Sequence, residues 1–367
     1  MIITVTMNPA IDKTAEAETI SPGCLNRLRN VTYDAGGKGV NVSKILKALG
    51  VESVATGFLG GGAGREIEAR LLKAGIKSDF VSIGGTTRTN LKVLTKEFGI
   101  TEFNEPGAEI SASEMDALRE KLLCYAGPDA TFVLSGSLPR GVGADIYFRL
   151  IYAVKEKGAS VFLDADGEAF KAAVEAKPDY IKPNLFELKQ YFGLNETEMR
   201  PPEVVMRPLE AKTPQTIDAL INQRSIDTAP CSLPTDNTPS LHETPTSAAM
   251  TMLTASTLKN YASLCRRFTD KGIRIVTLSM GRHGALFVTD RETLYAPGLP
   301  VEASSTVGAG DCMVGALAYA FERKMNLREA AALAIAASAG AITTHGTKPP
   351  DRDTVESLTA HVKLVSL

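Results

Sequence analysis

One local pattern recurs along this chain and limits what it can fold into. A short apolar run is followed by a stretch of helical spacing, a glycine, and a further apolar run. Gly50 closes Gly39–Leu49, Gly75 closes Arg65–Ala74 and Gly158 closes Asp145–Lys157, with apolar runs at Val54–Leu59 and Ser160–Asp164. Helices end readily at glycine because it accepts the left-handed conformation there. Short apolar runs alternating with helices are the mark of βα repetition over a parallel sheet buried on both faces. The same reading predicts strands over Ile2–Thr6, Ala130–Leu134, Tyr180–Lys182, Arg274–Ser279 and Ala285–Val288. It predicts further helices over Ser113–Leu123, Asp311–Phe321 and Leu327–Ala341. Trp is absent and aromatic residues make up 6%, so the core of this α/β fold must rest on Val, Leu, Ile and Ala.

Two segments interrupt the alternation. Residues 10–35 contain no convincing helix, and residues 84–107 alternate with a period near two around Thr89-Asn90-Leu91-Lys92-Val93. Both read as strands of a small second sheet, a lid flanked by glycine-rich turns. A third segment, about 200–256, is anomalous in composition. It carries eight Pro and no Gly, and no aromatic residue lies between Phe192 and Tyr261. It reads as an exposed, flexible insertion with little apolar surface to bury. The whole chain of 367 residues is then expected to form a single domain with a lid and one insertion.

Charge and cysteine usage narrow the function classes. Forty Lys and Arg against 42 Asp and Glu give a formal net charge of −2, which supports neither nucleic acid nor a membrane surface as the main partner. The five cysteines, at 24, 124, 231, 265 and 312, contain no C-x-x-C pair, so neither a disulfide framework nor a structural zinc site is expected. The first residues read as a buried strand rather than a signal peptide, and no apolar stretch has the roughly 18 residues of a membrane span. The expected compartment is the cytoplasm.

Five motifs carry chemistry. Ser305-Thr306-Val307-Gly308-Ala309-Gly310-Asp311 runs into a helix. Backbone N–H groups at such a helix start form an anion hole, and Asp311 beside it is placed to accept a proton from a hydroxyl attacking a phosphoryl group. An acidic residue favoured by the helix dipole is the plainer alternative. Asp34-Ala35-Gly36-Gly37-Lys38-Gly39-Val40-Asn41 is a second glycine turn before a helix. It is not a Walker A loop, since Gly follows Lys38. Lys182-Pro183-Asn184-Leu185-Phe186-Glu187 offers a cation and two oxygen ligands suited to triphosphate and hydrated Mg²⁺, or else a capping box. Ser279-Met280-Gly281-Arg282-His283-Gly284 reads as a hairpin turn over which a nucleotide can lie. Arg88 in the lid is either a solvated strand residue or a fork for a phosphate already on the substrate.

Taken together, Gly36-Gly37-Lys38-Gly39-x-Asn41 and Gly308-Ala309-Gly310-Asp311 resemble the phosphofructokinase-B (ribokinase-like) sugar kinases over nearly the whole chain except about 200–256. The resemblance implies a Rossmann-type, mostly parallel sheet with helices on both faces, a β-sheet lid, ATP and Mg²⁺. It implies Asp311 as the base and Gly308, Ala309 and Gly310 as the anion hole. Lys182, Asn184, Ser279, Gly281, Gly284, Thr306 and, more loosely, Ser338 would face the nucleotide, with Gly308 and Gly310 on its phosphates. Asn184 and Glu187 would lie near the metal. Asp12, Arg27, Gly36, Gly37, Lys38, Asn41, Arg88, Asn90 and Ser137 would hold the sugar phosphate. The opening Thr4-Val-Thr-Met-Asn-Pro-Ala-Ile-Asp12 and the lid are most similar to the fructose-1-phosphate kinases of that family. Tagatose-6-phosphate kinases and the minor 6-phosphofructokinases share most of these features. The family pattern has Ser where this chain has Cys312. Another class of function, a sugar-phosphate-binding module without turnover, is opposed by the presence of Asp311, Asn184 and Glu187. The exposed lid sheet predicts pairing into a homodimer.

Overall fold

The computed structural model describes residues 1–194, 253–302 and 305–367. The main sheet has eleven strands, and the second sheet has four. Strand β1 (Ile2–Thr6) is an interior strand, paired in parallel with β4 (Ser53–Leu59) on one side and β9 (Thr131–Ser135) on the other. From β9 the parallel order continues through β10 (Ser160–Asp164) and β11 (Tyr180–Ile181) to β12 (Ile275–Ser279). Three antiparallel strands close that edge: β13 (Ala285–Val288), β14 (Thr293–Ala296) and β15 (Val365–Ser366). Beyond β4 lie the short strands β5 (Lys77–Ser78) and β6 (Val81–Ser82).

Both faces of the sheet are covered, as its continuous apolar strands require. Alternate residues of the central strands enter different cores. Ile3, Val5, Phe132 and Leu134 belong to one cluster, Ile2 and Val133 to the other. The first cluster is completed by α3 (Ala112–Tyr125), α4 (Ile146–Lys155), α5 (Gly167–Val174), α6 (Leu185–Phe192) and α7 (Ala255–Thr269). The second is filled by α1 (Lys38–Ala48), α8 (Ala309–Glu322), α9 (Leu327–Ile342) and α10 (Arg352–Thr359). Helix α2 (Gly61–Lys73) packs over a third, smaller cluster around Ile67 and Leu71. Aliphatic side chains and alanines dominate all three.

The second sheet has the order β3–β2–β7–β8, built from β2 (Ala10–Glu16), β3 (Arg29–Gly36), β7 (Arg88–Thr95) and β8 (Gly99–Asn104). It occupies the two segments whose period-two alternation predicts strands, with β3 running one residue beyond the expected limit of 35. Strands β2 and β7 pair in parallel, the other two pairs antiparallel. The expected insertion at about 200–256 lies almost wholly outside the described residues. Its far limit needs correction: Thr254 already caps α7, accepting from the Thr257 N–H, so residues 255 and 256 are helical.

Candidate active site

Parallel strands deliver their C-terminal ends to one edge, the usual place for a ligand in an open α/β sheet. Here β10 ends in Asp164, Lys182 follows β11, and Ser279 ends β12 ahead of the tight turn Gly281–His283. Three helices, α1, α2 and α8, have glycine N-caps and no capping side chain; Gly60 before α2 is extended, while the caps of α1 and α8 lie at positive φ. Gly37 before α1 has φ 109°, and Gly308 before α8 has φ 82°, values that disfavour any residue with a Cβ. By contrast α3, α6, α9 and α10 are capped by Ser111, Asn184, Asn326 and Asp351. The first N–H groups of an α-helix have no intrahelical partner, so the start of α8 presents donors to whatever lies before it. Ala309 and Gly310, half-buried in the first turn, have no side chain that would fill the space.

Asp311 stands in that first turn, 8% exposed. The Asn41 amide, one turn into α1, donates to its Oδ2 at 2.8 Å. Burial, and next the nearby Asp164 carboxylate, push the Asp311 pKa up to about 6, against the opposing pull of Lys38, Asn41 and Lys182. Asp164 is 2% exposed and receives two ammonium groups, Lys182 Nζ at 3.2 Å and Lys38 Nζ at 3.4 Å. Burial alone would raise its pKa, but the two lysines hold it below the ordinary aspartate value. Burial likewise works against the Lys38 ammonium, and Asp164, Asp311 and Glu187 outweigh it, raising the lysine above its ordinary range. A Cβ built on Gly310 would lie 3.7 Å from Lys182 Nζ, which places this charged cluster against the start of α8.

The lid contributes a second cluster. Asp12 of β2 is buried, bonded to Asn90 Nδ2 at 3.3 Å and paired with Lys92 Nζ at 3.1 Å. A Cβ on Gly36 would come within 2.4 Å of Asp12 Oδ2, so the turn can approach the carboxylate only as glycine. Arg88 is half-buried, donating through Nη1 to the Glu105 carbonyl and through Nη2 to that of Asn8. Its Nε, and Oδ1 of Asn90, are buried without a hydrogen-bond partner among the described residues. Buried polar groups are nearly always satisfied, so such exceptions call for a partner.

The remaining candidates fall out unequally. Ser137 follows β9 one residue after Gly136, whose Cβ would lie 3.8 Å from the Lys38 side chain. Ser279 is half-buried and its N–H donates to the Pro183 carbonyl, which joins the nucleotide-turn motif to the Lys182 motif. Thr306 is exposed just before Gly308. Ser338 is half-buried in the last turns of α9 and bonds to none of the other candidates. Arg27 is the outlier: exposed in the connection between β2 and β3, it makes no hydrogen bond or ion pair with any described residue. Two lysines and an aspartate at the site were not foreseen. Lys92 follows Arg88 and Asn90 at the same period-two spacing, so the alternation already contained it. Asp164 was visible as the acidic end of an apolar run. Lys44, on α1 one turn beyond Asn41, had no motif to mark it.

The Asn184–Glu187 pair forms a full capping box in this structure: the Glu187 N–H donates to Asn184 Oδ1 at 2.9 Å and the Asn184 N–H to Glu187 Oε2 at 2.9 Å. The plainer alternative is therefore realised, and one oxygen of each side chain is committed to the cap. Among the described residues no group of three or more His, Cys, Asp or Glu side chains could form a metal cage. Magnesium usually takes only one or two carboxylates, keeping water and phosphate oxygens for the rest. Glu187 suits that pattern: it is 7% exposed, Oε1 has no partner among the described residues, and burial raises its pKa.

Comparison with known proteins identifies the family. The pfkB family carbohydrate kinase profile matches residues 3–221 and 233–354. The match breaks only between these spans, a narrower departure than the composition of 200–256 predicts. The 1-phosphofructokinase of Xanthomonas campestris is 32% identical over 342 residues, 92% of this chain and 89% of its own. That of Bacillus subtilis is 29% identical over 367 residues, 100% of both chains. Phosphofructokinase-2 from Escherichia coli, solved in complex with potassium, superposes with a TM-score of 0.78 at 25% identity over 98% of each chain.

Proposed function

The chain belongs to the pfkB family of carbohydrate kinases, and on that premise we propose that it transfers the γ-phosphoryl group of ATP to fructose 1-phosphate, giving fructose 1,6-bisphosphate. One observation carries the reading: a buried carboxylate of raised pKa, Asp311, stands in the first turn of an uncapped helix, close enough to Lys38 and Lys182 for their charges to act on it. That arrangement suits phosphoryl transfer, in which positioning and charge neutralisation do most of the work. Asp311 takes the proton of the attacking hydroxyl. The N–H groups at the start of α8 and the ammonium groups of Lys182 and Lys38 stabilise the charge on the transferred group. Asp12, Asn41 and Asn90 orient the sugar through its hydroxyls, with Gly36 and Gly37 leaving the space for it and Ser137 beside them. The nucleotide lies over Ser279, Gly281 and Gly284, with Thr306 and Ser338 at its margin. Bound near Glu187 and Asn184, Mg²⁺ would neutralise the β- and γ-phosphates. The test is phosphorus NMR of the product formed from ATP, Mg²⁺ and fructose 1-phosphate. Fructose 1,6-bisphosphate is expected; ATP left unconsumed would favour a binding module instead.

Arg88 is proposed to hold the phosphate already on the sugar. Its unpartnered Nε, and the second protons of Nη1 and Nη2, remain available for a phosphate dianion. Hydrogen bonds to a charged group are worth roughly 1.5–3 kcal/mol, or about ten- to a hundredfold in binding. Arg88→Ala should therefore raise KM for the sugar phosphate by that factor and leave KM for ATP and kcat nearly unchanged. Lys should rescue only in part, since it lacks the fork. A rise in KM for ATP alone would move Arg88 to the nucleotide side.

We also propose that the lid pairs two copies of the chain. Leu25, Val31, Tyr33, Phe98 and Phe103 are large apolar residues on or beside the lid sheet, and all are 40–79% exposed. Exposed apolar clusters of this kind mark interaction surfaces. Replacing Tyr33 and Phe103 together by Glu should convert a dimer to a monomer in sedimentation; an unchanged mass would remove the lid from the interface. No described helix is long and apolar enough to cross a membrane. The described cysteines are free thiols, in keeping with a reducing cytoplasm as the compartment.

A further inference from the structure

We propose that Lys44 is a positioning residue that fixes the amide of Asn41, and through it the carboxylate of Asp311, from behind the site. The inference rests on Asp311 being the base. Lys44 lies three residues after Asn41 on α1, so the two side chains are neighbours on one face of the helix. Its Nζ donates to Asn41 Oδ1 at 3.2 Å and to Thr347 Oγ1 at 3.2 Å. Asn41 Nδ2 in turn donates to Asp311 Oδ2 at 2.8 Å.

The chemistry of the three groups makes this chain directional. An ammonium can only donate, and an ionised carboxylate can only accept. An amide between them has one favourable orientation, oxygen toward Lys44 and NH₂ toward Asp311. The flipped amide would set its oxygen against the carboxylate and its NH₂ against the ammonium. Lys44 therefore ensures that Asp311 meets a donor at Oδ2, which leaves Oδ1 as the free oxygen for a substrate hydroxyl. Asn41 is 6% exposed and Asp311 8%, so water has little access to replace the missing polarity. The second acceptor ties Lys44 to the other half of the site. Thr347 is buried, and its Cα lies 3.8 Å from where a Cβ on Gly308 would stand. One ammonium thus links α1, the base and the backing of the glycine turn before α8. On its other side Lys44 borders a cavity of about 360 Å³ that also touches Asp34, Lys47 and Lys348, room enough for a longer side chain.

The test compares Lys44→Met, Lys44→Arg, Asn41→Ala, the Asn41→Ala/Lys44→Met double variant and Asp311→Asn in the full chain. Lys44→Met keeps the stem and removes the donor. It should lower kcat by roughly ten- to a hundredfold, the worth of a charge-assisted hydrogen bond, with KM for ATP unchanged. Lys44→Arg, also donor-only, should restore most of the rate. In the Asn41→Ala background, Lys44→Met should cost nothing further, because the residue through which it acts is gone. Wild-type kcat in Lys44→Met, or independent effects that multiply in the double variant, would overturn the inference. If Lys44→Met does not fold, Lys44→Gln against Lys44→Arg decides: Gln can present either polarity and should be slow, and equal rates would overturn the role. Asp311→Asn separates the two levels. An inactive Asp311→Asn beside a fully active Lys44→Met sinks the Lys44 role alone, whereas an active Asp311→Asn sinks the base assignment beneath it.

Discussion

Asp311→Asn is expected to lower kcat by roughly 10²–10⁴-fold, the usual cost of losing a general base, while both substrates still bind. Asn keeps the shape and can still accept from Asn41 through its amide oxygen, so the geometry around α1 and α8 should survive. The pH dependence adds a second readout. A base must be ionised to act, and burial places the Asp311 pKa at about 6. Wild-type kcat should therefore fall as pH drops through about 6, and the residual rate of the variant should lack that limb. The sign for stability is opposite to the usual carboxylate case. A folded-state pKa above the unfolded one means that ionisation is harder in the native protein, so native stability declines as pH rises across that interval. The Asn variant escapes this cost and should melt no lower than wild type at neutral pH. Retention of more than half of wild-type kcat would remove Asp311 from the role.

Asp164→Asn should produce the largest loss of stability among the site residues. It leaves Lys182, with a side chain only 9% exposed, and Lys38 facing each other without their shared carboxylate. Removing one partner of a buried ion pair typically costs about 3–5 kcal/mol. The lower end applies here, because the Lys38 side chain is 33% exposed and solvent screens part of its charge. A drop of several degrees in Tm should result, together with reduced activity as the two lysines move apart. The sign with pH follows from the lowered Asp164 pKa. Its contribution is full above the ordinary aspartate range and is lost as pH falls through and below it, so the two proteins should converge in strong acid. Equal melting temperatures at neutral pH would show that the lysine pair does not depend on Asp164.

The fold was legible in the sequence wherever an apolar run and a helix were both long enough to show their period. The strand expected at Ala285–Val288 has those same bounds, and the lid strands lie in the two segments whose lack of helical spacing and period near two set them outside the main sheet. The elements not foreseen are short or poorly bounded. Helices α5 and α10 have only eight residues each, about two turns, too few for the 3.6 period to stand out; α6, equally short, showed only its start, through the Asn184–Glu187 spacing. Helix α7 is long and buries Leu258, Tyr261, Ala262, Cys265 and Phe268, but its Thr- and Ser-rich start continues the composition that precedes it.

Glycine motifs marked the site because glycine at a helix start has a backbone reason to be there. Lys92, Lys44 and Asp164 carry no such constraint, and their roles arise from pairings 80 and more residues apart in the chain, as between Lys92 and Asp12, or across two elements, as between Lys44 and Thr347. Arg27 shows the reverse, a residue assigned by resemblance that is exposed and makes no hydrogen bond or ion pair with any described residue. The Asn184–Glu187 spacing supported two readings at once, and the capping box that forms does not use up the Glu187 carboxylate.

The most direct test of the proposed activity is kcat/KM for fructose 1-phosphate, fructose 6-phosphate and tagatose 6-phosphate, measured side by side with ATP and Mg²⁺. Discrimination lives in this ratio, since it reports differential binding of the competing transition states. Fructose 1-phosphate should give the highest value, and Asp311→Asn should lower turnover of all three by the same roughly 10²–10⁴-fold. A higher value for fructose 6-phosphate or tagatose 6-phosphate, or no turnover of any of them, would contradict the assignment.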